Sequence, residues 1–249
     1  MSSTEITMPR AQAALTALRR RIEPNGLTVS VDRLLERVEY RIATSGSDIE
    51  EVRRHRHEAY VAAGHYAPRP DRRLADGLDN APASRLYVAR LGQQLVGSVR
   101  ISLATERRPE GYACELFPDA VGPLLANGGI VVDPSRLTVD AEAGRRHPLL
   151  HFAVLRLPIM ASVHYGAEHC LTMVQPRHAA FYRRTMRATH LCDARPFPGA
   201  TREVALMAVH VPSAIARGRS RFGFWLPRPG ETEALMPPLE ELLPGRQAE

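Results

Sequence analysis

The sequence predicts an α/β protein with a mixed central sheet and helices on both faces. Three observations support this class. Strand-like and helical segments alternate along the chain, which is the pattern of layered α/β folds. A β-hairpin in the middle adds antiparallel pairs to the sheet. The 249 residues, 44% of them apolar, suffice for one buried core without requiring a second domain.

The first elements follow one another from Val38. The run VEYRIAT, residues 38–44, is strand-like, and the SGSD after it supplies turn residues and an N-cap for a helix through Tyr60. The Pro-, Asp- and Gly-rich residues 66–84 predict a long loop, and such loops in compact domains are usually functional or disordered. Residues 85–103 predict a hairpin that turns near Gly92.

The second half continues the alternation of strand and helix. We predict a strand in GGIVVDPSRLTVD, a helix from about Pro148 to Tyr165, a strand in HCLTMVQP, a helix in RHAAFYRRTM and a last long strand in REVALMAVHV. The domain is therefore expected to span residues 38–211. Residues 1–37 are expected to form an N-terminal arm, and residues 212–249 an irregular C-terminal extension.

Within the arm, residues 11–21 predict a short amphipathic helix. It either docks on the domain or frays as a terminal helix, with a membrane-surface role as the alternative.

Pro134 interrupts a run that otherwise reads as a central strand. Proline has no N–H to donate to a ladder and is found at sheet edges or bulges. We therefore expect irregular strand structure at residues 133–135. The two alternatives are a kinked edge strand, or a bulge whose freed N–H groups face a substrate carbonyl.

Composition excludes several classes of protein. All 33 basic residues are arginine, and the absence of lysine excludes a Schiff-base lysine and a P-loop. The net charge of +6 suits an acidic partner, but the dispersed arginines carry no nucleic-acid-binding motif. The three cysteines are far apart and the histidines are scattered, so we expect neither a disulfide framework nor a metal site. Without a long apolar run, a soluble protein of a reducing cytoplasm is expected.

A charged set in the middle of the chain is not explained by ordinary core and surface patterning. Clustered guanidinium and carboxylate groups are costly unless they are paired. The arginines either pair internally with the aspartates, which would fix the long loop, or hold the carboxylate of a substrate. The set comprises Arg56, Tyr60, Asp76, Asp79, Arg100, Asp133 and Arg136.

In this order, the motifs resemble the GNAT acyltransferase fold. Within it they are similar to the acyl-carrier-protein-dependent synthases, namely the acyl-homoserine lactone synthases and the long-chain N-acyl amino acid synthases. The resemblance runs from about Glu39 to Val211. The matching motifs are Arg-x-x-x-aromatic at Arg56 and Tyr60 with Tyr66 beyond, Asp-x-x-Asp at Asp76 and Asp79, a strand-ending Arg100, and acidic-x-Ser-Arg at Asp133, Ser135 and Arg136.

Departures from these families favour one branch. The lactone synthases typically carry Glu where this chain has Asp133 and Trp where it has Tyr66. Residues 175–199, followed by the strand REVALM, are more similar to the N-acyl amino acid synthases. The segment AEAGRRHP lacks the Gly-rich pyrophosphate loop of the acetyl-CoA branch, which favours a carrier protein over CoA as the donor.

The resemblance implies transfer of a long-chain fatty acyl group from acyl carrier protein to the amine of an amino acid or similar small acceptor. Aminolysis of a thioester requires a neutral amine, donors for the oxyanion and a proton for the leaving thiolate. Asp133 is the candidate proton acceptor, with a structural salt bridge to Arg100 or Arg136 as the alternative. Tyr182 is the candidate proton donor, with a core position as the alternative.

The remaining expectations concern binding. The eight residues Arg56, Tyr60, Tyr66, Asp76, Asp79, Arg100, Ser135 and Arg136 are expected to build the substrate site. An apolar tunnel for the acyl chain is expected from Leu116, Phe117, Leu124, Leu125, Phe152 and Leu155, with ordinary core packing as the alternative. No tightly bound cofactor is expected, and the acyl-phosphopantetheine of acyl carrier protein is the expected co-substrate.

Two other functions stay open. One is acyl-homoserine lactone synthesis from S-adenosylmethionine, which would release methylthioadenosine. The other is a non-catalytic lipid- or carrier-binding protein with the same fold.

Overall fold

The computed structural model describes residues 26–217 and 223–244, and its centre is one seven-stranded sheet. The strands are β1 Val38–Ile42, β2 Ser84–Leu91, β3 Gln94–Ala104, β4 Val131–Val139, β5 His169–Val174, β6 Thr189–Pro196 and β7 Glu203–His210. Their order is β1-β2-β3-β4-β5-β7-β6, and β4 with β5 is the parallel pair in an otherwise antiparallel sheet. The predicted mixed sheet is confirmed.

The helices cover both faces of the sheet. They are α1 Gly26–Leu35, α2 Gly46–Ala62, α3 Tyr112–Leu116, α4 Pro118–Leu125, α5 Ala141–Arg146, α6 Leu150–His164, α7 Ala179–Met186, α8 Val211–Arg217, α9 Glu231–Leu235 and α10 Leu239–Leu242. The predicted cap of α2 is confirmed, because Ser45 Oγ accepts a hydrogen bond from Asp48 N at 3.1 Å. No helix in the described part of the chain is long and apolar enough to span a membrane.

Several elements differ from the sequence prediction. The edge strand β6 was not predicted, and neither were the short helices α3 and α4 between β3 and β4. In the C-terminal extension, α9 and α10 are joined by irregular stretches. The helix predicted at residues 11–21 lies outside the described residues.

Three apolar clusters fill the two sides of the sheet. The largest packs α1, α6 and the C-terminal elements against one face. The other two lie on the opposite face, one under α2 and the other under α3 and α4. Helix α6 is apolar around most of its circumference, as expected of a helix buried inside a protein. A Cβ at Gly97 of β3 would lie 2.4 Å from Val154 Cγ2, so this glycine lets α6 pack directly on the strand.

Strands β4 and β5 separate soon after they begin. Their ladder contains only two pairs, Val131 with His169 and Val132 with Cys170. Pro134 follows, where β4 has no β5 partner, so its missing N–H costs no ladder bond on that side.

The irregularity of β4 was predicted at residues 133–135, but the structure corrects its position. Pro134 keeps its register opposite Ile101 of β3. The extra residue lies between Ser135 and Thr138, and Arg136 has the left-handed φ of 54° there. This is a β-bulge, which bends the strand away from its neighbour and re-aims the side chains around it.

Candidate active site

A buried ionic network forms the floor beneath the β4 bulge. Asp79 Oδ1 accepts hydrogen bonds from Arg56 Nη1 at 2.6 Å and from Arg100 Nη1 at 2.9 Å. Asp76 accepts from Arg100 Nη1 and, at 3.0 Å, from Arg136 Nε. The side chains of Arg56, Arg100 and Asp79 are fully buried, so each charge is stabilised by its ionic partners and not by water. The predicted internal pairing is confirmed.

The same network fixes the long loop between α2 and β2. Asp76 Oδ1 accepts a hydrogen bond from Leu78 N at 3.1 Å and so caps the 3-10 turn Gly77–Asn80. Burial raises the pKa of Asp76, but Arg100 and Arg136 outweigh burial and lower its pKa below the usual value. The loop therefore carries an ionised carboxylate into the centre of the site.

Arg136 is held on every side. Its Nη1 donates to Tyr66 Oη at 2.6 Å and its Nη2 donates to Tyr112 Oη at 2.8 Å, in addition to the bond from Nε to Asp76. The guanidinium also lies 5.1 Å from the Tyr112 ring centroid and 5.4 Å from that of Phe197. Each of its three nitrogens donates to a protein group, and these contacts fix the position of Arg136 in the site.

Asp133 is the buried carboxyl of the site that has no ionic partner. Its side chain is 0% exposed; Oδ2 accepts from Ala113 N at 2.8 Å, and Oδ1 has no hydrogen-bond partner among residues 26–217 and 223–244. No arginine of this part of the chain forms a salt bridge with it, which contradicts the alternative of a structural pair with Arg100 or Arg136.

The surroundings of Asp133 move its protonation into the neutral range. Burial raises the pKa of Asp133 to about 7, and the Ala113 N–H and Arg100 offset only part of that effect. A carboxyl that titrates near pH 7 is suited to accept and return a proton at neutral pH.

Gly111 gives Asp133 its space. Its φ is 135°, and an added Cβ would lie 2.3 Å from Asp133 Oδ2. Gly111→Ala is therefore expected to displace the carboxyl and to destabilise the protein by about 1–3 kcal/mol. Thermal unfolding and the catalytic activity of the purified variant measure both effects.

The matched control is Gly122→Ala in α4, where an added Cβ meets nothing within 4 Å. It should be neutral or slightly stabilising, because alanine is the better helix former. Equal losses in the two variants would contradict this account of Gly111.

A cavity of about 560 Å³ opens where β4 and β5 separate, a size typical of small-molecule sites. Apolar side chains of α6 and α7 form one part of its lining. Polar and aromatic side chains of α2, the loop after it, the β4 bulge, the residues just after β5 and the β6–β7 connection form another. The apolar part includes Leu155, Pro158, Ile159, Phe181 and Met186. The polar and aromatic part includes Tyr60, His65, Tyr66, Arg136, Gln175, His178, Phe197 and Arg202.

The predicted binding residues divide into two layers around this cavity. Tyr60, Tyr66, Ser135 and Arg136 contribute to its lining, whereas Arg56, Asp76, Asp79 and Arg100 form the network behind it. Asp133 is not part of the lining, but the next two residues of β4 are. Their roles in substrate binding stay predictions.

Most of the predicted tunnel residues lie elsewhere. Leu155 lines the cavity, while Phe152 packs one layer behind it, with its ring centroid 5.8 Å from that of Phe181. The other four belong to the apolar cluster on the opposite face of the sheet, where ordinary core packing, the stated alternative, describes them. These four are Leu116, Phe117, Leu124 and Leu125.

Tyr182 lies on the cavity wall, next to Phe181. Burial raises the pKa of Tyr182 above its usual value, and a hydrogen bond with Thr172 offsets part of the shift. The hydroxyl therefore stays protonated at neutral pH, as a proton donor must. Its catalytic role stays a prediction.

Other lining residues were not foreseen from the sequence. Gln175 Nε2 lies 2.7 Å from His65 Nδ1, and Arg202 lies at the same part of the cavity. Burial and the positive charges of Arg177, His178 and Arg202 lower the pKa of His65. This part of the rim is therefore electropositive. No sequence motif marks these residues, because they come together only through the fold.

A mixed sheet with a splayed central pair, and a largely apolar cavity at the splay, are the features of the acyl-CoA N-acyltransferase (GNAT-like) fold. The chain belongs to the family described as N-acyl amino acid synthase FeeM, which it matches over residues 51–210. It is therefore an N-acyltransferase.

Solved structures agree in fold. FeeM, an N-acyl amino acid synthase from uncultured soil microbes, is 14% identical with a TM-score of 0.61, over 74% of this chain and 95% of that chain. The acyl-homoserine lactone synthase LasI is 16% identical with a TM-score of 0.54, over 72% and 94%. BjaI, a CoA-dependent acyl-homoserine lactone synthase, is 18% identical with a TM-score of 0.52, over 76% and 85%. No curated protein matches the chain in sequence.

Proposed function

We propose that this N-acyltransferase moves a long-chain fatty acyl group from acyl carrier protein to the amine of an amino acid or a similar small acceptor. The observation that carries the proposal is the cavity at the splay of β4 and β5, whose lining combines apolar walls with a polar, electropositive part. An acyl chain fits the first part, and the polar groups of the two substrates fit the second.

The chemistry follows from the groups beside the splay. The acceptor nitrogen attacks the thioester carbonyl, so that a C–N bond forms while the C–S bond breaks. Asp133, directly or through a water, takes the proton that the attacking amine loses. Tyr182 gives its proton to the leaving thiolate. Backbone N–H groups near the β4 bulge stabilise the oxyanion.

Charge around the cavity favours a carrier protein as the donor. Residues 169–192 contain no Asp or Glu. Exposed arginines on and around α7 form no salt bridge within the described ranges, and an acidic partner would meet them without displacing internal pairs. This arginine surface consists of Arg177, Arg183, Arg184, Arg187 and Arg202.

The double variant Arg183→Glu/Arg184→Glu tests this surface. We expect kcat/KM for an acyl-carrier-protein thioester to fall by about 10- to 100-fold at low salt, because steered association loses its attraction. A short acyl thioester without a carrier protein should be turned over at nearly the same rate as by the wild type. The control Arg33→Glu/Arg37→Glu makes the same charge change on and just beyond α1. Equal losses with both donors would contradict a docking role.

The decisive test of function is product analysis. Purified protein is incubated with acyl-carrier-protein thioester or acyl-CoA and a pool of amino acids, and amide products and free thiol are followed by mass spectrometry and thiol titration. Stoichiometric amide and thiol support the proposal. Methylthioadenosine release from added S-adenosylmethionine would instead indicate a lactone synthase. Tight acyl binding with no thiol release would indicate a binding protein.

A further inference from the structure

The C-terminal segment, defined here as residues 223–244, packs against the helix that forms much of the cavity wall. It lies outside residues 51–210, which match the family. The buried side chains Phe224, Trp225, Leu235 and Met236 join the same apolar cluster as α6. The wall of the cavity is therefore backed by a part of the chain that the family match does not include.

Arg156 of α6 anchors this segment. Its side chain is buried, and it donates from Nε to Phe224 O at 2.7 Å and from Nη2 to Leu226 O at 2.8 Å. Nη2 also donates to Glu231 Oε2 at 2.6 Å, so the charge is compensated within the segment itself. One guanidinium thus joins α6 to three positions of the C-terminal segment.

An aromatic chain connects the segment to the cavity. Phe152 of α6 lies between two rings, with centroids 5.4 Å from Phe224 and 5.8 Å from Phe181. Phe181 lines the cavity, and His151, 4.2 Å from the Phe152 ring, does so as well. Phe224, which is 0% exposed, is therefore one side chain removed from the cavity wall.

The course of α6 depends on such support. Pro158 lies inside this helix and lines the cavity. A proline there removes a backbone hydrogen bond and pushes against the preceding turn. Contacts on the side of α6 away from the cavity stabilise the helix there. Arg156, two residues before Pro158, supplies them through its bonds to the C-terminal segment.

We propose that the C-terminal segment is the outer wall of the acyl chamber, and that Phe224, acting through Phe152 and Phe181, sets the length of acyl chain that the chamber accepts. The inference rests on the proposed function in one respect, that the apolar part of the cavity holds the acyl chain. Phe224 and Phe152 are positioning residues, since neither lines the cavity. When Phe224 is truncated, Phe152 and then Phe181 can shift into the dry apolar void, and the cavity gains room for additional methylene groups.

The test is a chain-length profile of the full-length protein. A fluorescent fatty acid bound to the protein is displaced by saturated fatty acids of increasing length, and the affinities are compared for wild type, Phe224→Ala and Phe224→Leu. Leu95→Ala, a truncation of another buried side chain, in the cluster under α2, is the control. We expect the optimum of Phe224→Ala to lie about two carbons longer, with about a fourfold gain in affinity for each added methylene.

The outcomes separate the two proposals. A graded shift from Phe224→Leu to Phe224→Ala, absent in Leu95→Ala, supports the inference, and the milder leucine variant serves if the alanine variant does not fold. An unchanged optimum in variants that still bind, or the same shift in Leu95→Ala, overturns it. Length-dependent binding without amide product would leave this inference standing and defeat the proposed reaction. A wild type that binds no fatty acid would overturn this inference, whereas the proposed reaction is judged by amide product alone.

Discussion

Asp133→Asn is expected to lower the acyl-transfer kcat by about 10²- to 10⁴-fold, the usual contribution of a general base. The asparagine is nearly isosteric, and its side-chain oxygen can still accept the hydrogen bond from Ala113 N. What it cannot do is take a proton from the attacking amine. Steady-state kinetics at saturating donor and acceptor measure the loss, and Asp71→Asn, a change at an exposed carboxylate of the loop, is the control.

The pH dependence of the wild type provides an independent check. Because burial raises the pKa of Asp133 to about 7, kcat should rise with pH through an apparent pKa near that value. The asparagine variant should lack this limb. A variant with full activity, or with an unchanged pH profile, would assign the base to another group.

The free energy of unfolding of the wild type should fall over the pH range in which kcat rises. In the unfolded chain Asp133 ionises near its ordinary pKa of 3.8, whereas in the folded protein it ionises near 7. Between these values the folded state binds the proton more tightly, so the wild type loses stability as the pH rises from about 4 to about 7. The asparagine variant has no such loss. Urea unfolding at pH 5 and pH 8 should therefore show its stability, relative to wild type, improving at the higher pH.

In the proposed mechanism, the absence of an ionic partner is what lets Asp133 act as a base. An ion pair with Arg100 would keep its pKa low, and the ionised carboxylate would then be a weak base. Arg100 instead pairs with Asp76 and Asp79, and Arg56 pairs with Asp79. The network thus supplies the site with structure while leaving one carboxyl free to titrate.

Apolar patterns and capping residues predicted most of the helices and strands, because burial of one face and capping act between residues close in sequence. The hairpin and the buried strands alternate or are continuously apolar, and the cap at Ser45 is a short-range signal. The edge strand β6 escaped prediction because it is largely exposed, with two register shifts, and so carries no clear alternation. Its pairing with β7 is decided by backbone hydrogen bonds, which a sequence pattern does not reveal.

The candidate site was predictable only in part for a related reason. The cost of unpaired buried charge, together with the family resemblance, predicted that Asp76, Asp79 and Arg100 lie together. Tyr112 and Phe197 contact Arg136 from distant parts of the chain, and no spacing rule links them. The cavity was misplaced because apolar residues on the two faces of a sheet look alike in sequence. The early separation of β4 from β5 decides which face opens.

The second large effect is expected from Asp79→Asn, which should lower the free energy of unfolding by about 3–5 kcal/mol. Asp79 is fully buried and pairs with both Arg56 and Arg100, which are fully buried as well. Without the carboxylate, Arg56 loses its carboxylate partner and Arg100 keeps only Asp76, and water cannot solvate these buried guanidinium groups. Chemical denaturation at pH 7 measures the loss.

Two further variants separate the burial of charge from the loss of a hydrogen bond. Asp76→Asn should cost less, because the Asp76 side chain is 17% exposed and water can compensate for part of the lost charge. The double variant Arg56→Met/Asp79→Leu removes one cation together with the anion, and it should recover part of the stability lost in Asp79→Asn. If Asp79→Asn costs less than about 1 kcal/mol, or if the double variant is the less stable of the two, then compensation of buried charge is not what holds the loop against β3, and packing must hold it instead.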